Sequence, residues 1–128
     1  MARRRSLVYV LADDESVRAG FARLLRSANF SAETFSSPGE FTKKPKQKEE
    51  ACVLVDIPMP GSSGFDLDDK LASWGVDLPA VVISASDDAL VRERARELGA
   101  VAFFRKPIDD QALLDAIMWA ISGARKEA

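Results

Sequence analysis

Apolar runs that stop abruptly at polar residues alternate with stretches of helical periodicity along the whole chain. Leu7 to Leu11 contains β-branched and aromatic members and breaks off at Asp13-Asp14-Glu15, which predicts a buried strand ending at a polar edge. Val17, Phe21, Leu24, Leu25 and Ala28 then recur at helical spacing with Arg18, Arg23 and Arg26 on other faces, predicting an amphipathic helix of about three turns. Ser31 to Ser36 reads as a half-polar second strand. Ser37-Pro38-Gly39-Glu40 opens a short helix through Phe41, with proline at its first position. The charged stretch Lys43 to Glu50, which contains Pro45, predicts a solvated loop.

The second half repeats the pattern. Ala51 to Val55 is a third strand that stops at Asp56, followed by a turn-rich loop with Pro58, Pro60, Gly61 and Gly64. Phe65, Leu67 and Leu71 predict a helix ending near Gly75, and Pro79 to Ile83 a fourth strand running into Ser84-Ala85-Ser86. Leu90, Val91, Ala95 and Leu98 predict a fourth helix stopped by Gly99. Val101 to Phe104 is the fifth strand, ending at Arg105-Lys106-Pro107, and Leu113, Leu114, Ile117, Met118 and Ile121 trace a fifth helix that fades at Gly123. Strands apolar on both faces, alternating with helices, imply an α/β fold in which a parallel sheet is covered on both sides. The expected architecture is a flavodoxin-like, doubly wound five-stranded sheet of order 2-1-3-4-5 with five helices.

Composition narrows the function. The 128 residues, 47% of them hydrophobic, suit one domain with a core over about residues 7–122 and a tail or linker start at 124–128. With Lys+Arg 18 against Asp+Glu 20 the net charge is -2, so there is no overall basic field for nucleic acid or an anionic membrane. No apolar run is long enough to span a bilayer, and Asp13 interrupts any secretory segment after Arg3-Arg4-Arg5, which predicts a cytoplasmic protein. One cysteine excludes an internal disulfide or a multi-cysteine zinc site, and Cys52 reads as a small buried hydrophobe. The absence of histidine removes the commonest general base, the commonest metal ligand and any phosphohistidine of the chain's own.

In a doubly wound sheet the residues after each strand gather along one edge, where ligands bind at the reversal of strand order. Here those residues are Asp13, Asp56, Ser84 and Lys106. Two acids without histidine or cysteine form a hard oxygen site suited to Mg²⁺ or Mn²⁺. A divalent ion and Lys106 would both draw phosphate oxygens, so Asp56 is the candidate nucleophile for an aspartyl phosphate, with Ser84 and the backbone N–H of Ala85 to hold the transferred group. Singly, each residue has a plainer reading: Asp13 or Asp14 as a helix cap, Asp56 as a turn acid, Ser84 as a loop residue, Lys106 as a solvated charge. Chance placement of all four at the right strand ends is the harder explanation.

At these residues the sequence resembles the receiver domain of two-component response regulators. The matching segments are Val8 to Arg18, Val53 to Pro60 with Gly64, Val82 to Ala85, and Phe103 to Pro107, and together they are specific where no single one is. The likeness is greatest to receivers of nitrogen-fixation-type (LuxR-class) transcriptional regulators, through Asp-Glu-Ser-Val-Arg, Ser-Pro-Gly-Glu-Phe and the Lys-Pro before the last helix. The resemblance implies a signalling switch rather than an enzyme. By it Asp56 accepts a phosphoryl group from the phosphohistidine of a sensor histidine kinase or phosphotransfer protein, and Asp13, Asp56 and the carbonyl of Pro58 bind Mg²⁺. Ser84 responds to the phosphoryl group, Lys106 pairs with it, and Phe103 is the switch aromatic. The implied output face is the fourth helix, fifth strand and fifth helix, around Arg92, Arg96, Arg105 and Gln111, where a homodimer or output partner would bind.

The chain departs from the family pattern at the first of its two adjacent acids, a position that counting back from Val17-Arg18 assigns to Ala12. A slip using Asp13 and Asp14 instead would turn alternate strand side chains to the wrong faces. Losing one negative charge is expected to weaken Mg²⁺ binding, and does not by itself require that binding be abolished. Pro58 lacks an N–H, and neither Pro58 nor Ser86 offers an acid or amide to orient hydrolytic water, so a slowly hydrolysed phosphoaspartate is expected. Ala12 favours one competing reading, a degenerate receiver that acts as a phosphorylation-independent interaction module. A small aspartyl-nucleophile phosphatase would carry a second acid where Pro58 stands, and a flavin binder would need a Ser/Thr/Gly-rich loop after the first strand.

Overall fold

A computed structural model describes residues 6–43, 50–57, 78–85, 89–98 and 100–126. Its elements in chain order are β1 (Leu7–Leu11), α1 (Glu15–Ser27), β2 (Ser31–Phe35), α2 (Pro38–Thr42), β3 (Ala51–Ile57), β4 (Ala80–Ser84), α3 (Ala89–Leu98), β5 (Ala100–Arg105) and α4 (Asp110–Lys126). The strands form one parallel sheet of order β2-β1-β3-β4-β5, as the strand and helix alternation predicts. The predicted helix at Phe65, Leu67 and Leu71 and the loop containing Pro58, Gly61 and Gly64 lie outside the described residues, as does most of the charged stretch after Lys43.

The pleat explains why the central strands have no polar alternation. Side chains of β1, β3 and β4 point alternately to two faces, and each face is covered. Leu7, Tyr9, Leu11, Val53, Val55 and Val82 build one core with Phe35 and Phe41, while Val8, Val10, Cys52, Leu54, Val81 and Ile83 build the other with Leu25, Leu113 and Ile117. Tyr9, Phe35 and Phe41 meet with ring centroids 5.2 to 6.2 Å apart, which ties α2 and the half-exposed edge strand β2 to the sheet. Asp14 caps α1 by accepting from the Val17 N–H at 3.0 Å, and Ser37 caps α2 by accepting from the Glu40 N–H at 3.1 Å. The Glu40 carboxylate reaches back to the Ser36 N–H at 2.7 Å, so the two ends of that short helix entry satisfy each other.

Several boundaries differ from the sequence reading. β3 continues through Asp56 to Ile57, and β4 includes Ser84, so both polar residues sit within the last rungs of the sheet rather than after it. Ladder hydrogen bonds carry these strands past the point where their apolar character ends: Ile57 is paired with Ser84, and Ser84 with Arg105. β5 begins at Ala100 with a register shift opposite Ala80 and Val81, and its Val101 is 40% exposed because β5 is a sheet edge. α4 runs through Gly123 to Lys126, past the glycine at which its apolar periodicity fades. A helix already nucleated extends at small cost past one glycine when Ala, Arg and Lys follow.

Candidate functional site

Parallel strands all end at the same edge, and the register sets which residues meet there. Asp56 lies opposite Ile83, one residue before the Ile57–Ser84 pair, and the backbone of Lys106 continues the ladder with its N–H donating to the Ser84 carbonyl at 2.9 Å. On the other side Leu11 pairs with Val55, so Ala12 and Asp13 leave β1 beside Asp56. Asp56 and Ser84 are both buried, Asp13 is exposed, and Lys106 keeps about a third of its side chain in solvent.

The Lys106 ammonium stands 3.0 Å from Asp56 Oδ1. Oδ1 is fully buried and, among the described residues, has no well-aligned donor beyond its charge pair with Lys106. Burial pushes the Asp56 carboxyl above the ordinary aspartate range; Lys106 pulls it back, and the negative charges of Asp13 and Asp14 push it further up. A buried carboxylate with an oxygen short of donors, beside a second acid, suits a hard divalent cation, and the donor set fits Mg²⁺. Asp13 and Asp56 would hold it. Ala12 is completely buried and supplies no side-chain oxygen, and among the described residues no three acidic, histidine or cysteine side chains converge into a metal cage.

The four residues singled out by the strand-end rule are thus brought to one edge, with Asp56 and Lys106 in contact. Asp14, by contrast, has the plain role of helix cap. Ala85 follows Ser84 at the surface, while Pro58 and Ser86 lie outside the described residues. Phe103 packs half-buried against the Val82 and Ala95 core, with the Arg92 guanidinium 5.1 Å from its ring centroid. Arg96 pairs with Glu93 at 2.9 Å and Gln111 donates to Asp115 at 2.9 Å, all on the surface. Met118 and Trp119 are 54% and 58% exposed on α4, because Leu113, Ile117, Ala120 and Ile121 form the buried stripe and Met118 is out of phase with it. Cys52 is buried and its thiol is pushed up to about 12, which leaves it inert. Two contacts escaped the sequence reading: Arg92 on Phe103, and Arg18 folded back to donate to the Ala12 carbonyl at 2.7 Å. Neither has a local sequence signal, since one joins a helix to a strand and the other reverses a side chain onto its own turn.

Comparison with known proteins follows the same lines. The family model described as "Response regulator receiver domain" matches residues 8–118. The response regulator protein TodT of Pseudomonas putida (strain F1) is 35% identical over 127 residues, covering 99% of this chain and 56% of that protein. The transcriptional regulatory protein FixJ of Azorhizobium caulinodans is 32% identical over 110 residues, covering 86% of this chain and 52% of the relative, which agrees with the likeness to nitrogen-fixation-type regulators. The chain therefore spans about half the length of these curated relatives. Among solved structures, the response regulator StyR superposes with a TM-score of 0.77 at 37% identity, covering 97% of this chain and 64% of that one. With the sheet order and these matches in agreement, the chain belongs to the response regulator receiver domain family.

Proposed function

We propose that the domain is a phosphorylation switch in which Asp56 accepts a phosphoryl group from the phosphohistidine of a sensor histidine kinase or phosphotransfer protein. The observation that carries the reading is the 3.0 Å approach of the Lys106 ammonium to a buried Asp56 oxygen, with Ser84 on the next strand. In the transfer an Asp56 carboxylate oxygen forms the new P–O bond as the P–N bond to the donor imidazole breaks, and the imidazole keeps the bonding pair. Bound Mg²⁺ would supply charge neutralisation for the phosphoryl oxygens. Lys106 is released from its pair with Asp56 to meet an incoming oxygen, and the Ser84 hydroxyl and Ala85 N–H supply donors. Movement of Ser84 toward the phosphoryl group lets Phe103 turn inward and shifts the population of the α3-β5-α4 face, around Arg92, Arg96, Arg105 and Gln111, toward a form that binds a second copy or an output partner. The names of the relatives suggest transcription as the controlled output, and this chain is proposed to act within the cytoplasm without itself binding nucleic acid.

Intact-mass measurement with acetyl phosphate is the direct test. A gain of about 80 Da is expected in wild type with Mg²⁺, and none in Asp56→Asn. The complete burial of Ala12 in place of an acid favours one second reading, a degenerate receiver that binds partners without phosphorylation. Absence of any mass gain at saturating Mg²⁺ would select it. Where phosphorylation occurs, the phosphoaspartate is expected to outlast a free acyl phosphate, because neither Pro58 nor Ser86 offers an acid or amide to orient water; decay of the added mass at neutral pH measures this.

A further inference from the structure

The turn that carries Asp13 is held at Ala12 by the side chain of Arg18, whose Nη1 donates to the Ala12 carbonyl at 2.7 Å. The Arg18 backbone N–H donates to the Asp14 carbonyl at 3.0 Å, the bond that closes the first turn of α1 whatever side chain stands there. Ala12 is held in addition by its own N–H, which donates to the Phe35 carbonyl at 3.1 Å, and Asp14 by its carboxylate, which accepts from the Val17 N–H at 3.0 Å. The chain from Ala12 to Asp14 therefore has its backbone and one carboxylate tied, while the Asp13 side chain stays exposed. Arginine on the flank of an amphipathic helix ordinarily extends into water. Arg18 instead lies half-buried, six positions back on its own chain, in a charge-assisted bond to the carbonyl of a residue with no exposed surface.

This contact falls on the one position where the acidic site lacks an acid. Affinity for a hard cation depends on ligand charge and on the rigidity of the ligand frame, and Ala12 removes some of the first. The charges that bear on Asp56 are those of Lys106, Asp13 and Asp14, whereas the Arg18 guanidinium is engaged with backbone. We infer that Arg18 is a positioning residue that pre-orders Asp13 for a divalent cation, supplying in rigidity part of what Ala12 withholds in charge. The inference rests on the reading above in which Asp13 is a cation ligand.

Mg²⁺ titrations of the melting temperature test it, with wild type, Arg18→Met, Arg18→Lys, Asp13→Asn and the Arg18→Met/Asp13→Asn double variant, each also melted in EDTA. A purely structural role would move the EDTA melting temperature and leave the apparent Kd for Mg²⁺ unchanged. The positioning role predicts an apparent Kd raised about tenfold in Arg18→Met, partly restored in Arg18→Lys, and no further loss from Arg18→Met once Asp13 is Asn. Equal Mg²⁺ affinity in wild type and Arg18→Met overturns the positioning role alone. No Mg²⁺ response in wild type overturns the cation reading of Asp13 and the inference together. If Arg18→Met does not fold, Arg18→Ala, which likewise removes the donor to the Ala12 carbonyl, carries the same comparison.

Discussion

Asp56 shows what a buried carboxylate costs when its compensation is partial. Desolvation raises its pKa, Lys106 at 3.0 Å offsets part of the effect, and the net direction remains upward. A group whose folded-state value lies above its unfolded one favours the native state only while it is protonated, so this contribution is present in acid and lost as pH rises through the raised value. Asp56→Asn removes the buried charge and leaves Lys106 able to extend into solvent. In the absence of divalent cation we expect it to be more stable than wild type at neutral pH by about 1 kcal/mol, with the difference shrinking toward zero in acid. Urea denaturation of both proteins across a pH series in EDTA measures this; a wild type more stable at neutral pH would contradict it. The position of Asp56 was legible in the sequence because an apolar run ends there. Its desolvation was not, since that depends on β1 and β4 flanking β3 in the sheet and on Lys106 reaching it from beyond β5.

Two adjacent acids at the start of α1 illustrate the element scale. Asp14 completes the first turn by accepting from Val17, whereas Asp13 is exposed at the sheet edge. Asp14→Ala is expected to cost about 1 kcal/mol, the usual worth of an N-cap, and Asp13→Asn to change apo stability by less than about 0.5 kcal/mol. Thermal denaturation of the two variants in EDTA separates the roles, and equal losses would refute the division. All five strands, and every helix within the described residues, were legible from period and punctuation. Their ends were less so: Asp56 and Ser84 belong to strands because neighbouring backbones pair with them, and α4 passes Gly123 because helix extension tolerates one poor residue. Apolar character marks where a strand is buried, whereas hydrogen bonding decides where it stops.

At the scale of the whole molecule, the order β2-β1-β3-β4-β5 makes β1, β3, β4 and β5 consecutive, which turns four separate sequence positions into one edge. The same order places the edge strand β5 between the surfaces of α3 and α4, where Val101, Met118 and Trp119 are exposed and Arg92 covers the Phe103 ring. If phosphorylation repacks that face, acetyl phosphate with Mg²⁺ should raise the weight-average mass of wild type in sedimentation equilibrium toward a dimer and leave Asp56→Asn unchanged. An equal response in the mutant would count against the scheme. The sequence by itself determined the α/β class, the parallel sheet and the identities of Asp13, Asp56, Ser84 and Lys106, because hydrophobic period and abrupt polar stops are local properties of the chain. Tertiary structure alone decided that the Lys106 ammonium reaches Asp56, that the Asp56 carboxylate is buried, and that Arg92 lies over the Phe103 ring. Those outcomes depend on side chains meeting through space, and no pattern along one strand or helix encodes the distance between them.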